Sequence, residues 1–148
     1  MPRRLAALLI GVAIMLWPTA AHADAVKLQG FWIDNVEILS GDDGVLVFLS
    51  PAGGEVVRPI AQLEGLRMDK YPGLAQANRL AEDDQNAQAA QALAAQREQV
   101  TEGWIQNFID SRLVQLNNAL NKPLPAIDAY LRLATGGAAA HYLETAPL

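Results

Sequence analysis

The hydrophobic positions between residues 26 and 68 fall into short runs separated by turn signals. Apolar runs cover residues 36–39, 45–49 and 55–60. The first two flank Asp43-Gly44, a pair that supplies the positive φ angles of a tight hairpin turn, and Gly53-Gly54 turns the chain again. Pro59 lacks the N–H that a ladder needs, so it marks a strand end or an edge strand. Residues 24–70 therefore predict a small antiparallel module of three or four strands, either a β-barrel or a curled sheet.

The pattern changes at Pro72, after which Ala, Leu, Gln and Glu dominate. It predicts helices over residues 73–81, 87–100, 104–120 and 126–134, with Gly136-Gly137 ending the fourth and a last turn or two within 138–144. Val114 lies opposite the apolar stripe of the third helix, so that helix is expected between two neighbours. Short loops predict antiparallel helical hairpins over residues 71–148, and an α+β fold for the whole chain. The stripe consists of Ile105, Phe108, Ile109, Leu113, Leu116 and Leu120.

An internal repeat links these helices. Residues 84–93 align with residues 121–130 at an offset of 37 residues, and a helix precedes each segment. The matching positions are Ala77, Leu80, Ala89 and Leu93 in the first unit and Val114, Asn117, Ala126 and Tyr130 in the second. On these positions the chain from about residue 71 to 137 resembles the tetratricopeptide-like family of helical repeats. Val114 and Asn117 depart from the family's residue types, the closing proline is missing, and the period exceeds the usual length of about 34 residues. An ordinary helical bundle accounts for the same pattern.

The N-terminal module has a resemblance of its own. The spacing of its hairpins is similar to that of the small SH3-like or Sm-like barrels that precede helical repeats in some exported bacterial proteins. Together the two resemblances imply a small β module followed by a tetratricopeptide-like helical module.

The first 23 residues have the three-part pattern of a secretory signal. Arg3 and Arg4 precede an uncharged apolar run over residues 5–17, which Pro18 ends. Small residues then lead to a predicted cleavage between Ala23 and Asp24. The apolar run is shorter than the roughly 20 residues that span a bilayer, so retention as an anchor is the less favoured alternative. The pattern predicts a Sec-type signal peptide and a periplasmic or secreted protein.

Composition and charge exclude several classes of function. The 148 residues contain no cysteine, so disulfides and thiolate metal sites are excluded, and the net charge of −5 argues against nucleic acid as a partner. His141 is the one histidine left after cleavage, and no Gly-x-Ser-x-Gly turn accompanies it. Asp42-Asp43 and residues 82–84 lack the ligand pattern of a calcium loop. The sequence predicts a non-catalytic protein with no metal and no cofactor.

The repeat resemblance implies recognition of a protein or peptide by the face that the first helix of each pair contributes. The candidate residues on that face are Asn78, Arg79, Asn107, Asp110, Ser111 and Asn118. Amide side chains can hold an extended peptide backbone through paired hydrogen bonds, although a solvated helix face explains the same residues. A second copy of the chain is a further possible partner, with Trp104, Tyr142 and Leu143 as candidate contacts that a dimer would cover.

These features favour an exported adaptor or scaffold of the bacterial cell envelope that binds an envelope protein or peptide. The alternative is a glycan-binding accessory or a hydrolase whose carboxylates cannot be paired from sequence. A third possibility is a dimerising spacer. A convergent pair of acids in a concave pocket would favour the glycan alternative, and a groove would favour the adaptor.

Overall fold

The computed structural model describes residues 24–137 and 139–142, and it has an α+β fold in which an antiparallel sheet precedes the helices. The sheet has five strands in the order β4-β3-β2-β1-β5. The strands are β1 Asp24–Leu28, β2 Phe31–Ser40, β3 Val45–Leu49, β4 Glu55–Pro59 and β5 Leu63–Arg67. The prediction of three or four strands was therefore too low. Because β4 and β5 form the two edges, the hydrogen-bonded ladder is open.

The long strand β2 divides its pairing between two neighbours. Its first half pairs with β1 up to Val36, and its second half pairs with β3 from Glu37 onward. Asn35 has a φ of 57° immediately before the change of partner. The register of the β1 pairing shifts at Asn35 and that of the β3 pairing shifts between Ile38 and Ser40, and such irregularities bend a strand and increase its twist. The Asp43-Gly44 turn is present as predicted, within the short 3-10 turn Asp42–Gly44.

The four predicted helices are confirmed, with small differences at their ends. They are α1 Pro72–Glu82, α2 Asn86–Arg97, α3 Gly103–Ala119 and α4 Pro123–Thr135. Pro72 and Pro123 occupy the first helical turn, where a missing N–H costs no hydrogen bond. A short helix α5, Ala139–Tyr142, follows Gly137, whose φ is 74°.

The turns inside the two hairpins have the same conformation at the 37-residue offset found in the sequence. Asp84 and Asn121 have φ values of 57° and 54°. The backbone N–H of Gln85 donates to Leu80 O at 2.8 Å, and that of Lys122 donates to Asn117 O at 2.8 Å. The helix ends also coincide, since α1 ends at residue 82 and α3 at residue 119. The sequence repeat therefore corresponds to a repeated local structure.

One hydrophobic core joins the sheet to the helices. Its sheet side includes Val26, Leu46, Phe48 and Leu66, all fully buried. The helix α3 is buried on two sides, as predicted, because both Ile109 in the stripe and Val114 opposite it are inaccessible or nearly so. The remaining core members after β5 are Tyr71 and Val100, which lie outside the helices, and the helical residues Leu74, Ala77, Ala89, Leu93, Ile105, Phe108, Leu113, Leu116, Ala129, Leu133 and Tyr142.

Helix α1 is attached to the sheet by polar contacts. Asn78 Nδ2 donates to the Leu66 carbonyl oxygen of β5 at 2.7 Å. Glu82 Oε1 accepts from Trp32 Nε1 and from Lys27 Nζ, each at 3.0 Å. These bonds lower the pKa of Glu82, with the Trp32 bond contributing most. The sheet therefore covers part of the α1 surface that the repeat resemblance assigned to a partner.

The predicted signal segment, residues 1–23, lies outside the described residues. Within the described ranges, no helix is long and apolar enough to cross a bilayer.

Candidate binding groove

A groove runs between α2 and α4, with α3 forming its floor. Its volume is about 360 Å³. Apolar side chains, amides and charged groups all contribute to its lining. The lining residues are Ala87, Ala90, Gln91, Ala94, Arg97 and Glu98 from the α2 side, Leu113 and Asn117 from α3, and Lys122, Pro125, Asp128 and Arg132 from the α4 side. The second helices of the two hairpins therefore provide the groove walls.

A buried carboxylate organises one end of this groove. Asp110 of α3 is 1% exposed. Arg97 Nε donates to both of its carboxylate oxygens, at 2.8 and 2.9 Å, and Arg132 Nε donates to Oδ1 at 3.0 Å. A buried charge is costly unless it is paired and hydrogen-bonded, and here two guanidinium groups compensate one carboxylate. Asp110 thereby fixes the positions of two arginines that come from opposite walls.

The Arg132 guanidinium also contacts Asp128 one helical turn earlier, through Nη1. Partial burial acts to lower the pKa of Arg132 and is the largest single effect. The hydrogen bond and the charge of Asp110, together with Asp128, outweigh burial and raise the pKa above its ordinary value. Arg132 is therefore a permanent cation held between a buried carboxylate and an exposed one.

Arg97 retains binding capacity. Its described hydrogen bonds to Asp110 use only Nε, so its two terminal amino groups remain for another acceptor. Asn117 donates from Nδ2 to Leu113 O, which leaves its Oδ1 as an acceptor on the groove floor. The three cations of the groove region are balanced by Glu98, Asp110 and Asp128. This balance suits a ligand that offers both donors and acceptors, such as a peptide backbone.

Three of the sequence-predicted candidates support the fold. Asn78 holds β5, as described above. Asp110 is buried in the ion cluster, and the expectation that it lies on an open polar face is wrong for it. Ser111 is 9% exposed and donates from Oγ to Phe108 O at 2.7 Å, so it too is largely removed from solvent. Each of these three side chains therefore has its hydrogen-bond partners inside the protein: Asn78 has the Leu66 carbonyl, Asp110 has two arginines and Ser111 has a carbonyl of its own helix.

The other three candidates do not gather at the groove. Arg79 is exposed on α1 and Asn118 is exposed near the end of α3. Asn107 lines a separate cleft at the start of α3. Of the predicted cleavage residues, Ala23 lies outside the described residues, whereas Asp24 begins β1 and accepts a hydrogen bond from Asp69 N at 3.0 Å. The six candidates therefore form no single surface.

The cleft that contains Asn107 lies between the Asp42–Gly44 turn, the start of α3 and the segment after α4. Its volume is about 290 Å³. Glycines set the positions of its rings, because a Cβ on Gly41 would lie 2.3 Å from Trp104 Cδ2 and a Cβ on Gly44 would lie 2.3 Å from His141 Nδ1. Polar and aromatic lining residues are Asp42, Asp43, Trp104, Asn107, His141 and Tyr142. This cleft is the second concave surface with candidate chemistry.

The sequence analysis expected Trp104, Tyr142 and Leu143 to be covered by a second copy of the chain. Tyr142 is 5% exposed within the single chain, so a second copy is not needed to cover it. Trp104 is half-buried and packs on Gly41. Leu143 lies outside the described residues.

Sequence reasoning missed the two arginines of the groove. Arg97 and Arg132 each lie in the last turn of the second helix of a hairpin. A signal was available, since Asp110 follows Ile109 directly within the apolar part of α3. An acid inside a helix with neighbours on two sides needs a cation from those neighbours.

Comparisons of the chain with protein-family models, with curated proteins and with solved structures found no match. In the portion of the chain that the structure describes, no three histidine, aspartate or glutamate side chains come together as a possible metal site.

Proposed function

We propose that this protein is an exported, non-catalytic adaptor of the bacterial cell envelope, and that it binds an extended segment of a partner protein in the α2–α4 groove. The observation that carries the proposal is the groove itself, whose two walls supply arginines oriented by the buried Asp110. A rigid arginine pays little conformational entropy when it binds a peptide carbonyl or carboxylate.

The proposal includes tetratricopeptide-like packing of the two hairpins. Its support is the recurrence of turn, helix start and helix end at the 37-residue offset. All eight positions matched in the sequence are buried or half-buried. The proposed binding face is the groove between the second helices, α2 and α4, whereas the family resemblance implied the face of the first helices. The sheet occupies part of that other face.

The proposal also includes an SH3-like or Sm-like β module and export by a cleaved signal peptide. The strand order β4-β3-β2-β1-β5 and the 3-10 turn Ile60–Gln62 before β5 support the first. The charged start, the apolar run and the small residues before Asp24 support the second. The β module then serves as a cap that covers the first helices.

Site-specific photo-crosslinking in intact cells tests the adaptor function. A photoreactive amino acid replaces Ala94, an exposed groove residue, and the matched control carries it at Ala52, an exposed alanine in the turn between β3 and β4. We expect one envelope protein to crosslink at Ala94 and not at Ala52. No specific adduct at Ala94, or the same adducts at both positions, would contradict the proposal.

A binding measurement with the crosslinked partner then tests the groove. Ala94→Arg places a long side chain in the groove and should weaken binding at least about tenfold. Ala52→Arg adds the same side chain far from the groove and should leave binding unchanged. Equal affinity for both variants would locate the partner elsewhere.

A second candidate, a glycan-binding accessory or hydrolase, is favoured by the cleft beside Trp104. Two adjacent acids, Asp42 and Asp43, share that cleft with an indole ring and the Asn107 amide. Titration calorimetry with soluble envelope glycan fragments tests it, with Asn107→Ala as the variant that should reduce the heat. Absence of saturable binding at millimolar glycan would reject this candidate.

A further inference from the structure

Arg112 of α3 is a partly buried cation that makes no ion pair with a carboxylate of the described residues. Its Nη1 donates to Gln115 Oε1 at 2.7 Å, one turn later on the same helix. Burial lowers the pKa of Arg112 below its ordinary value. A guanidinium group carries five N–H donors, so most of the binding capacity of Arg112 is unused.

A second charge without an ion pair in the described chain faces the same space. Glu64 of β5 accepts from Gly30 N at 2.9 Å, and this donor is a neutral amide. Glu64 and Arg112 both line two cavities, of about 280 and 260 Å³. The negative charge of Glu64 acts to raise the pKa of Arg112, so the two groups lie within electrostatic reach of each other without a direct pair. In the larger cavity the other two charges, Lys27 and Glu82, neutralise each other at 3.0 Å.

The smaller cavity, here called the Arg112 cavity, offers partners for a ligand of either charge. It lies between the 3-10 turn Ile60–Gln62, β5 and α3. Because Gln115 accepts from Arg112 through Oε1, its Nε2 is a further donor beside the guanidinium. The Arg112 cavity is smaller than the roughly 300–1,000 Å³ of sites for drug-sized ligands, so it suits a small molecule.

We propose that the Arg112 cavity binds a free α-amino acid with a small side chain, whose carboxylate pairs with Arg112 and whose ammonium group pairs with Glu64. A guanidinium can hold a carboxylate through two parallel N–H···O bonds. A simple anion would meet the like charge of Glu64, and a simple cation would meet that of Arg112. A ligand that carries both charges avoids either repulsion. Ala61 and Leu63 provide apolar surface for its side chain.

The Arg112 cavity is separate from the α2–α4 groove. Arg112 follows Asp110 by two residues, which is about 200° around a helix, so the two side chains leave α3 on opposite sides. The inference therefore does not rest on the adaptor function. An amino acid and a partner segment would bind on different sides of α3.

Titration calorimetry of the purified protein with glycine, alanine and serine tests the proposal. We expect at least one of them to bind saturably with a dissociation constant below about 1 mM. Two analogues of alanine separate the charges, because alaninamide lacks the carboxylate and propionate lacks the ammonium group. Both should bind at least about tenfold more weakly than alanine. No saturable binding of the three amino acids at about 10 mM, or propionate binding as tight as that of alanine, would overturn the proposal.

Variants test the two charges. Arg112→Gln and Glu64→Gln should each weaken amino-acid binding at least about tenfold. The matched controls are Arg79→Gln and Glu55→Gln, which remove the same charges at exposed positions outside the cavity and should leave binding unchanged.

Thermal melts distinguish a binding role of Arg112 from a structural one. Because this partly buried cation has no ion pair in the described chain, Arg112→Gln should melt no lower than the parent protein when no ligand is present. A lower melting temperature together with unchanged amino-acid binding would make Arg112 a structural residue and overturn the proposal. Unchanged binding by Glu64→Gln would overturn it as well.

Discussion

Arg97 Nε donates to both carboxylate oxygens of Asp110, at 2.8 and 2.9 Å, and so ties α2 to α3 at the end of the groove. Arg132 Nε reaches the same carboxylate from α4 at 3.0 Å. One buried acid therefore connects the second helix of each hairpin to the helix between them. This arrangement predicts that removing the Asp110 charge costs stability in two places, because two arginines lose their ion pair at once.

Replacing Asp110 with Asn should destabilise the fold by about 3 kcal/mol or more, because two partly buried guanidinium groups lose their common anion. Urea unfolding followed by circular dichroism measures the change. Asp128→Asn is the control, since Asp128 is 70% exposed and its removal should change the free energy of unfolding by less than about 0.5 kcal/mol. A change for Asp110→Asn as small as that expected for Asp128→Asn would show that the Asp110 cluster does not stabilise the fold.

Gly41→Ala should destabilise the junction between the sheet and α3. The added Cβ would lie 2.3 Å from Trp104 Cδ2, so the indole must move, at a cost of about 1–3 kcal/mol. Urea unfolding followed by circular dichroism measures the change in stability. Gly103→Ala is the control because no atom lies within 4 Å of its Cβ position. A Gly41 variant as stable as the control variant would disprove the contact.

The two hairpin turns should respond alike to substitution. Asp84 and Asn121 have φ values of 57° and 54°, where a β-branched side chain is strained. Asp84→Val and Asn121→Val should each cost about 1–2 kcal/mol, whereas Asp84→Gly and Asn121→Gly should cost little. Thermal melts of the four variants provide the comparison. A large effect at one turn and none at the other would argue against structural equivalence of the two hairpins.

Stability should fall in acid through Glu102. Hydrogen bonds from Lys70 and then Tyr71 lower the pKa of its carboxyl to about 2, and Thr101 adds a smaller contribution. The unfolded chain has the ordinary value near 4.5, so it binds the proton first as the pH drops. The stabilisation is therefore complete above about pH 4.5 and is lost progressively toward pH 2.

Melting temperatures of the protein and of Glu102→Gln, measured between neutral pH and about pH 2, test this prediction. The Glu102→Gln variant should be less stable at neutral pH and should show a smaller fall in acid. Glu55→Gln, on the exposed edge strand β4, should follow the parent protein. If the melting temperatures of the parent and of Glu102→Gln fall in parallel as the pH drops, the Glu102 carboxyl does not contribute to the loss of stability in acid.

Much of the secondary structure could be predicted from local pattern. Prolines at 72 and 123, glycines after α4 and the apolar spacing of α3 specify the helices, and each of these signals acts within a few residues. The strands were harder to predict. β1 and β5 are five residues each, and β5 pairs with β1 from a distant part of the chain. Their existence depends on that pairing more than on their own composition.

The candidate groove could be predicted only in part. The repeat indicated paired helices, but the arginines of the groove contact an acid 13 and 22 residues away in sequence. Asn107 and Asp110 are neighbours on one helix, yet one lines a cleft and the other is buried. Periodicity assigns a residue to a side of its helix, whereas burial depends on which elements pack against that side.

The sequence by itself determined that a β part precedes a helical part, the approximate bounds of the four long helices, the Asp43-Gly44 turn and the 37-residue repeat, because propensity, hydrophobic period and turn chemistry are local properties. Tertiary structure decided which helix faces remain open. The sheet packs against α1, α3 is covered on both sides, and a groove with two oriented arginines is left between α2 and α4. These outcomes depend on contacts between segments far apart in the chain, which no local pattern encodes.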